Sequence, residues 1–141
     1  AIKLALATGH SSPEEGLLLL REARKAGVTR MVVTHAMLSP VGMSIDQQKE
    51  AARLGAYLEF VYNALLPSSG AGHPTFPDYV KAIRAAGADH CILSSDLGQA
   101  VNPVHTVGWK AYLDGLLQAG ITPAEIDTMA RRNPARLLGL E

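Results

Sequence analysis

The sequence predicts an α/β chain of parallel strand–helix units, on three observations. Four short apolar runs, "IKLALATG", "RMVVTH", "AYLEFVYNAL" and "DHCILSSD", are nearly continuous rather than alternating, the mark of parallel strands buried on both faces. Four helix-period segments end at a glycine: Ala26-Gly27, Leu54-Gly55, Ala86-Gly87 and Ala119-Gly120. Glycine just past a helix enters the left-handed conformation without steric cost. The intervals between these glycines are 28, 32 and 33 residues, near the roughly 31 residues per unit of an eight-unit (β/α) barrel. By that count residues 1–141 form one domain of about four βα units, half a barrel. A doubly wound open sheet is the competing architecture, and both place ligands at the C-terminal ends of the strands.

The elements follow in order. The first strand opens the chain at "IKLALATG". The chain begins at Ala1 and enters this strand with almost no lead-in, which suggests a piece of something longer. Ser12-Pro13-Glu14-Glu15 is a capping box with proline at the first helical position, and Leu17, Leu20, Ala23 and Ala26 then recur at helical spacing. The second strand is "RMVVTH"; Ser44 with Gln47 starts the next helix. "AYLEFVYNAL" is the third strand, and Thr75 with Asp78 starts the third helix. "DHCILSSD" is the fourth strand, and Asn102-Pro103 is expected to start the fourth helix. From Thr122-Pro123-Ala124-Glu125 a helical tail runs through "NPARLLGL".

Composition narrows the class. Hydrophobic residues make up 48% and charged ones 18%, a well-buried globular balance. Thirteen basic residues offset thirteen acidic ones without a basic cluster, so no nucleic acid or anionic membrane partner is expected. The longest apolar runs are far too short to span a bilayer. Cys91 is alone, so no intrachain disulfide forms, and a cytoplasmic location is the default expectation.

Chemistry concentrates where the strands end. "KLALATGH" delivers His10, "RMVVTH" delivers His35 and "ILSSD" delivers Asp96. Imidazole binds zinc and related metals and also serves as a general base, and a carboxylate facing two histidines can bind metal or accept a proton from bound water. Taken singly, His10 could be a loop residue and Asp96 a turn cap; together at three equivalent places they suggest a site. Glu59 and Asn63 are four residues apart and share a face of an unbulged strand, which suits a substrate-facing or supporting role. His73, in the loop "SSGAGHPTFP", and His105, after Asn102-Pro103, could border the same pocket. His90 precedes its strand, at the wrong end, and reads as structural, while Cys91 has no nearby base. "GAG" at 70–72 lacks the spacing of a phosphate-binding loop.

The strand-end histidines in "ATGH" and "VVTHA", the aspartate in "ILSSDLG" and the closing "RRNPARLLGLE" resemble the C-terminal half of the amidohydrolase superfamily, metal-dependent hydrolases on a TIM (β/α)₈ barrel. It looks most like the uncharacterised amidohydrolase-like group. The resemblance implies that His10 is a fifth-strand metal ligand, His35 a sixth-strand ligand or catalytic residue, and Asp96 the eighth-strand base and possible ligand. It implies a divalent cation, zinc first and manganese or iron next, and hydrolysis of a C–N or C–O bond of a small-molecule substrate by metal-activated water. Asp96 would take the proton and His35 would stabilise charge on the substrate oxygen. The family's His-x-His pair on the first strand and its bridging residue on the fourth have no counterpart here. A half-barrel's open edges imply a homo-oligomer or docking to a missing N-terminal half. A non-enzymatic binding module and a metal-dependent phosphoesterase are the alternative functions.

Overall fold

The computed structural model describes residues 4–140. Four parallel strands, β1 (Leu6–Ala7), β2 (Met31–Val33), β3 (Ala56–Val61) and β4 (Cys91–Ser94), lie in the sequential order β1-β2-β3-β4. Helices α1 (Pro13–Lys25), α2 (Ile45–Arg53) and α3 (Phe76–Ala86) connect them. After β4 come α4 (His105–Gln118), α5 (Pro123–Asp127), a π-helical turn (Thr128–Arg132) and α6 (Asn133–Leu138). The α/β class and the sequential parallel sheet are therefore as the sequence predicts. The start of "IKLALATG" lies outside the described residues.

Consecutive helices decide between the two candidate architectures. α1 packs on α2, α2 on α3, and α3 on α4. Neighbouring helices in a continuous row belong to a barrel-type wrap; a doubly wound sheet would divide them between its faces. The strands show the same asymmetry. Along β3, Ala56, Leu58 and Phe60 are buried while Tyr57 and Glu59 are only half-buried, and β2 repeats the pattern with Val32 between Met31 and Val33. The expected burial on both faces holds along β4, where Cys91, Ile92 and Leu93 are all buried, and is corrected along β2 and β3, whose second face is partly open.

Local chemistry explains the helix boundaries. Ser12–Glu15, Ser44–Gln47, Thr75–Asp78 and Thr122–Glu125 each form a reciprocal capping box, worth about 1 kcal/mol per cap. α4 departs from expectation. It begins at His105 behind Val104 with no side-chain cap, because Asn102 spends its side chain elsewhere.

The core lies between the sealed sheet face and the helices, with Leu20, Ala51, Tyr79, Ile83, Tyr112 and Leu116 pressed on Met31, Val33, Leu58 and Phe60. Each large apolar side chain buried here contributes about 1.5–3 kcal/mol. Two buried tyrosines are anchored at the C-terminal end of β3: Tyr79 donates to the Val61 carbonyl at 2.8 Å and Tyr112 to the Phe60 carbonyl at 3.0 Å. Burial raises both phenol pKa values, so they remain neutral donors. They fix the strand end that carries the polar site. In the tail, Asn133 donates to the Ala88 and Cys91 carbonyls at 2.9 and 2.7 Å, clamping α6 to the entrance of β4.

Candidate active site at the C-terminal edge of the sheet

The strand ends are first tied to one another. Thr34 N–H donates to Thr8 Oγ1 at 3.2 Å and Gly9 N–H donates to Thr34 Oγ1 at 3.1 Å, a reciprocal pair between the ends of β1 and β2. Just beyond, the β2 strand breaks into a turn at His35. Its φ is 49°, and Asp96, two residues after β4, has φ 48°. Left-handed backbone at a non-glycine residue costs on the order of 1 kcal/mol and persists only where surrounding bonds fix it. Here those bonds are visible. His35 N–H donates to Glu59 Oε2 at 3.1 Å, and Ala36 N–H donates to the Glu59 carbonyl at 3.0 Å.

Glu59 is the centre of this arrangement. Its Oε1 accepts from Ser94 Oγ at 2.8 Å and its Oε2 lies 3.3 Å from His35 Nδ1. That last contact is an ion-pair approach with poor hydrogen-bond alignment, since Nδ1 has no well-aligned acceptor. On the other side of the ring, His35 Nε2 is 3.9 Å from Asp96 Oδ2. The imidazole thus stands between two carboxylates. The Glu59 interaction is the main cause of a raised His35 pKa; burial opposes it, and the Glu59 and Asp96 charges add to it. Burial alone would raise the Glu59 pKa, but hydrogen bonds from His35 and Ser94 outweigh it and leave the carboxyl below its usual range. Both directions favour the imidazolium–carboxylate form of the pair.

The other predicted residues fall into place unevenly. Asn63 lies beyond β3 in a short 3₁₀ turn (Asn63–Leu65), not on the strand face shared with Glu59, yet its Nδ2 donates to Asp96 Oδ2 at 3.0 Å. His10 is exposed, its ring centroid 5.0 Å from that of His35. His73 belongs elsewhere: it lines a separate cavity with Met37 and Met43, and its ring Nδ1 is 3.1 Å from the Pro74 carbonyl. His105 opens α4 and lines a cavity of about 260 Å³ with Gln99, Asn102 and Pro103. His90 sits before β4, at the far end from the site, and the buried Cys91 thiol has its pKa pushed up by burial, which suits neither for nucleophilic work. Sequence reasoning passed over Ser94 and the Thr8–Thr34 pair, and read Asn102 only as a cap. The alternation along β4 that aims Ser94 and Glu59 at the same face was the available signal for the first.

His10, His35 and Asp96 lie near one another at this edge. Among the described residues no group of three or more His, Cys, Asp or Glu side chains is arranged to hold an ion, whereas a catalytic zinc takes three protein ligands. Asp96 Oδ2 is bonded to Asn63, His35 Nδ1 faces Glu59 and leaves Nε2 on the Asp96 side, and His10 is exposed with its ring 5.0 Å from that of His35.

A parallel βα sheet with a His–carboxylate cluster at the strand C-termini is the protein class that the fold and site define. A family model described as a family of unknown function (DUF6282) matches residues 1–59, a span that includes His10, His35 and Glu59 but ends before Asp96. In three dimensions the chain is similar to a point mutant of organophosphorus hydrolase from Deinococcus radiodurans, with a TM-score of 0.54 and 21% sequence identity. That likeness covers 97% of this chain and 55% of the hydrolase, so the chain spans little more than half the length of the structure it matches. No curated protein sequence matches it. Among the described residues, no helix is long and apolar enough to cross a membrane.

Proposed function

We propose that the chain carries the acid–base edge of a hydrolase of the amidohydrolase type, acting on a C–N or C–O bond. One observation supports this above the rest: His35 is held between Glu59 and Asp96 at the C-terminal edge of a parallel sheet, where such folds bind substrate. In this reading Asp96 accepts the proton of the attacking water, and His35, kept protonated by Glu59, stabilises the negative charge that develops on the substrate oxygen. The divalent metal that the resemblance implies would be held by Asp96 and His10 with at least one further ligand, because a protonated His35 has no lone pair to offer it. A phosphorus ester is the second substrate class, favoured by the name of the structurally similar hydrolase.

We also propose that the partly open sheet face is covered by further parallel strands in the working protein. Parallel sheets occur almost only with both faces covered, and among the described residues β1 and β4 each pair on one side alone. Four more strands would close an eight-stranded barrel. A second copy of this chain or a separate half could supply them, and mass in solution distinguishes the two.

The test measures mass, bound zinc, manganese and iron, and hydrolysis of chromogenic esters, amides and phosphotriesters on the same preparation. Turnover should accompany an associated species and fall 10²-fold or more in His35→Asn and Asp96→Asn with little change in melting temperature. Turnover indifferent to both substitutions, or inactivity of every species with every metal, would remove the hydrolase reading.

A further inference from the structure

Asn63 and Asn102 form a chain of side-chain amides that ends on the Asp96 carboxylate. Asn63 Nδ2 donates to Asp96 Oδ2 at 3.0 Å, and Asn102 Nδ2 donates to Asn63 Oδ1 at 2.8 Å. Asn102 Nδ2 also donates to Gln99 Oε1 at 2.7 Å, and Asn102 Oδ1 accepts from Ser68 Oγ at 2.6 Å. Two backbone bonds fix the frame: Asn63 N–H to the Ser95 carbonyl and Asn102 N–H to the Gln99 carbonyl, both at 3.0 Å.

Each amide orientation determines the next. A carboxylate only accepts, so Asn63 must present its NH₂ to Asp96 and its oxygen to Asn102. Asn102 must then present its own NH₂ to Asn63, leaving its oxygen for Ser68. Reversing Asn63 would set oxygen against oxygen at Asp96 and NH₂ against NH₂ at Asn102, and reversing Asn102 would set its oxygen against those of Asn63 and Gln99. The sequence position of Asn102, just before Pro103, suggests a helix cap, but α4 starts later and takes no cap from it. Its side chain is wholly used in the chain to Asp96.

We infer that Asn63 and Asn102 are positioning residues that hold the Asp96 carboxylate in register with His35 and couple it to the two loops bordering the site. This rests on the reading of Asp96 as the reacting carboxylate. Asn63 holds the same Oδ2 that stands 3.9 Å from His35 Nε2, a separation too long for a direct hydrogen bond with the imidazole. An oxygen of substrate or water about 2.8 Å from each partner spans such a gap. Ser68 belongs to the β3–α3 connection, and Gln99 and Asn102 to the β4–α4 connection. Asn102 also lines the cavity of about 260 Å³ between Gly98 and His105, so a group entering that cavity meets the residue that aims Asp96.

The experiment uses the full chain, labelled with ¹³C and ¹⁵N, at one fixed pH. It reads the Asp96 carboxyl carbon and the side-chain amides of Asn63 and Asn102 in wild type, Asn102→Asp, Asn63→Ala and Val101→Ala. Asn102→Asp is isosteric and keeps the acceptor for Ser68 while losing both donors. Val101 is 81% exposed on the same loop and serves as control. Asn102→Asp should shift the Asp96 carbon and the Asn63 amide, Asn63→Ala should shift the Asp96 carbon, and Val101→Ala should move neither. On a hydrolysed chromogenic substrate, kcat should fall about tenfold or more at nearly constant KM. An Asp96 carbon unmoved by both Asn63→Ala and Asn102→Asp overturns the inference and leaves the hydrolase reading intact. Turnover indifferent to Asp96→Asn overturns the reading of the site itself, and with it the catalytic role inferred for the two asparagines.

Discussion

Removing the Glu59 carboxylate should loosen the turn that presents His35. In Glu59→Ala the His35 N–H and the Ser94 hydroxyl lose acceptors 3.1 and 2.8 Å away. Hydrogen bonds to a charged group contribute about 1.5–3 kcal/mol each. The Glu59 side chain is 23% exposed, so water replaces part of the loss, and relaxation of the left-handed His35 backbone returns about 1 kcal/mol. The net expectation is a loss of about 2–3 kcal/mol, or about 6–9 °C in melting temperature for a chain of this size. Glu59→Gln keeps an acceptor for the His35 N–H, and the Ser94 hydroxyl can turn to accept from the new amide, so it should cost only about 1 kcal/mol. Urea denaturation of the three proteins gives the stabilities, and the His35 amide proton shift reports the turn. A Glu59→Ala variant within about 0.5 kcal/mol of wild type, with the His35 amide unmoved, would refute the claim that this carboxylate holds the turn.

Two further outcomes follow from the same contacts. The pH dependence of stability has two limbs: Glu59, with a lowered pKa, contributes fully above about pH 4.3 and loses its contribution as pH falls through its folded value, while His35, with a raised pKa, contributes fully below about pH 6.5 and loses its contribution as pH rises through its folded value. The pair should therefore stabilise most between those limits, and the stability difference between wild type and Glu59→Gln should narrow as pH rises through the folded His35 pKa, keeping the part due to the His35 N–H and Ser94 bonds. Gly115→Ala should destabilise by about 1–3 kcal/mol, because a Cβ there would lie 2.2 Å from Phe76 Cζ; a melting curve matching wild type would show that the ring can move aside.

Much of the fold was legible because its signals are local. The capping boxes at Ser12, Ser44, Thr75 and Thr122 and the glycines at 27, 55, 87 and 120 depend on a few adjacent residues. The clustering of His35, Glu59, Asn63 and Asp96 was legible for a related reason, since parallel strands in sequential order bring their C-terminal ends together. What was not legible depends on partners distant in sequence. Asn102 resembles a cap beside Pro103, but its bonds go to Asn63 and Ser68, 39 and 34 residues away. His73 occupies a loop, and His105 opens a helix whose start follows packing rather than a side-chain cap. The partners of the site are hidden in the same way: Ser94 and Asn102 reach Glu59 and Asn63 from 35 and 39 residues away.

The left-handed backbones of His35 and Asp96 govern how these two positions can be interrogated. Alanine, the habitual replacement, keeps a Cβ and gives up any side chain that could bond to the local main chain, so an alanine variant reports conformational cost mixed with lost chemistry. Asparagine tolerates φ near 50°, and glycine adopts it freely. Comparing asparagine with glycine at each position separates the contribution of the functional group from that of the turn. A histidine or carboxylate whose removal is costly as alanine but harmless as glycine would then be recognised as a conformational residue, whatever its neighbours imply.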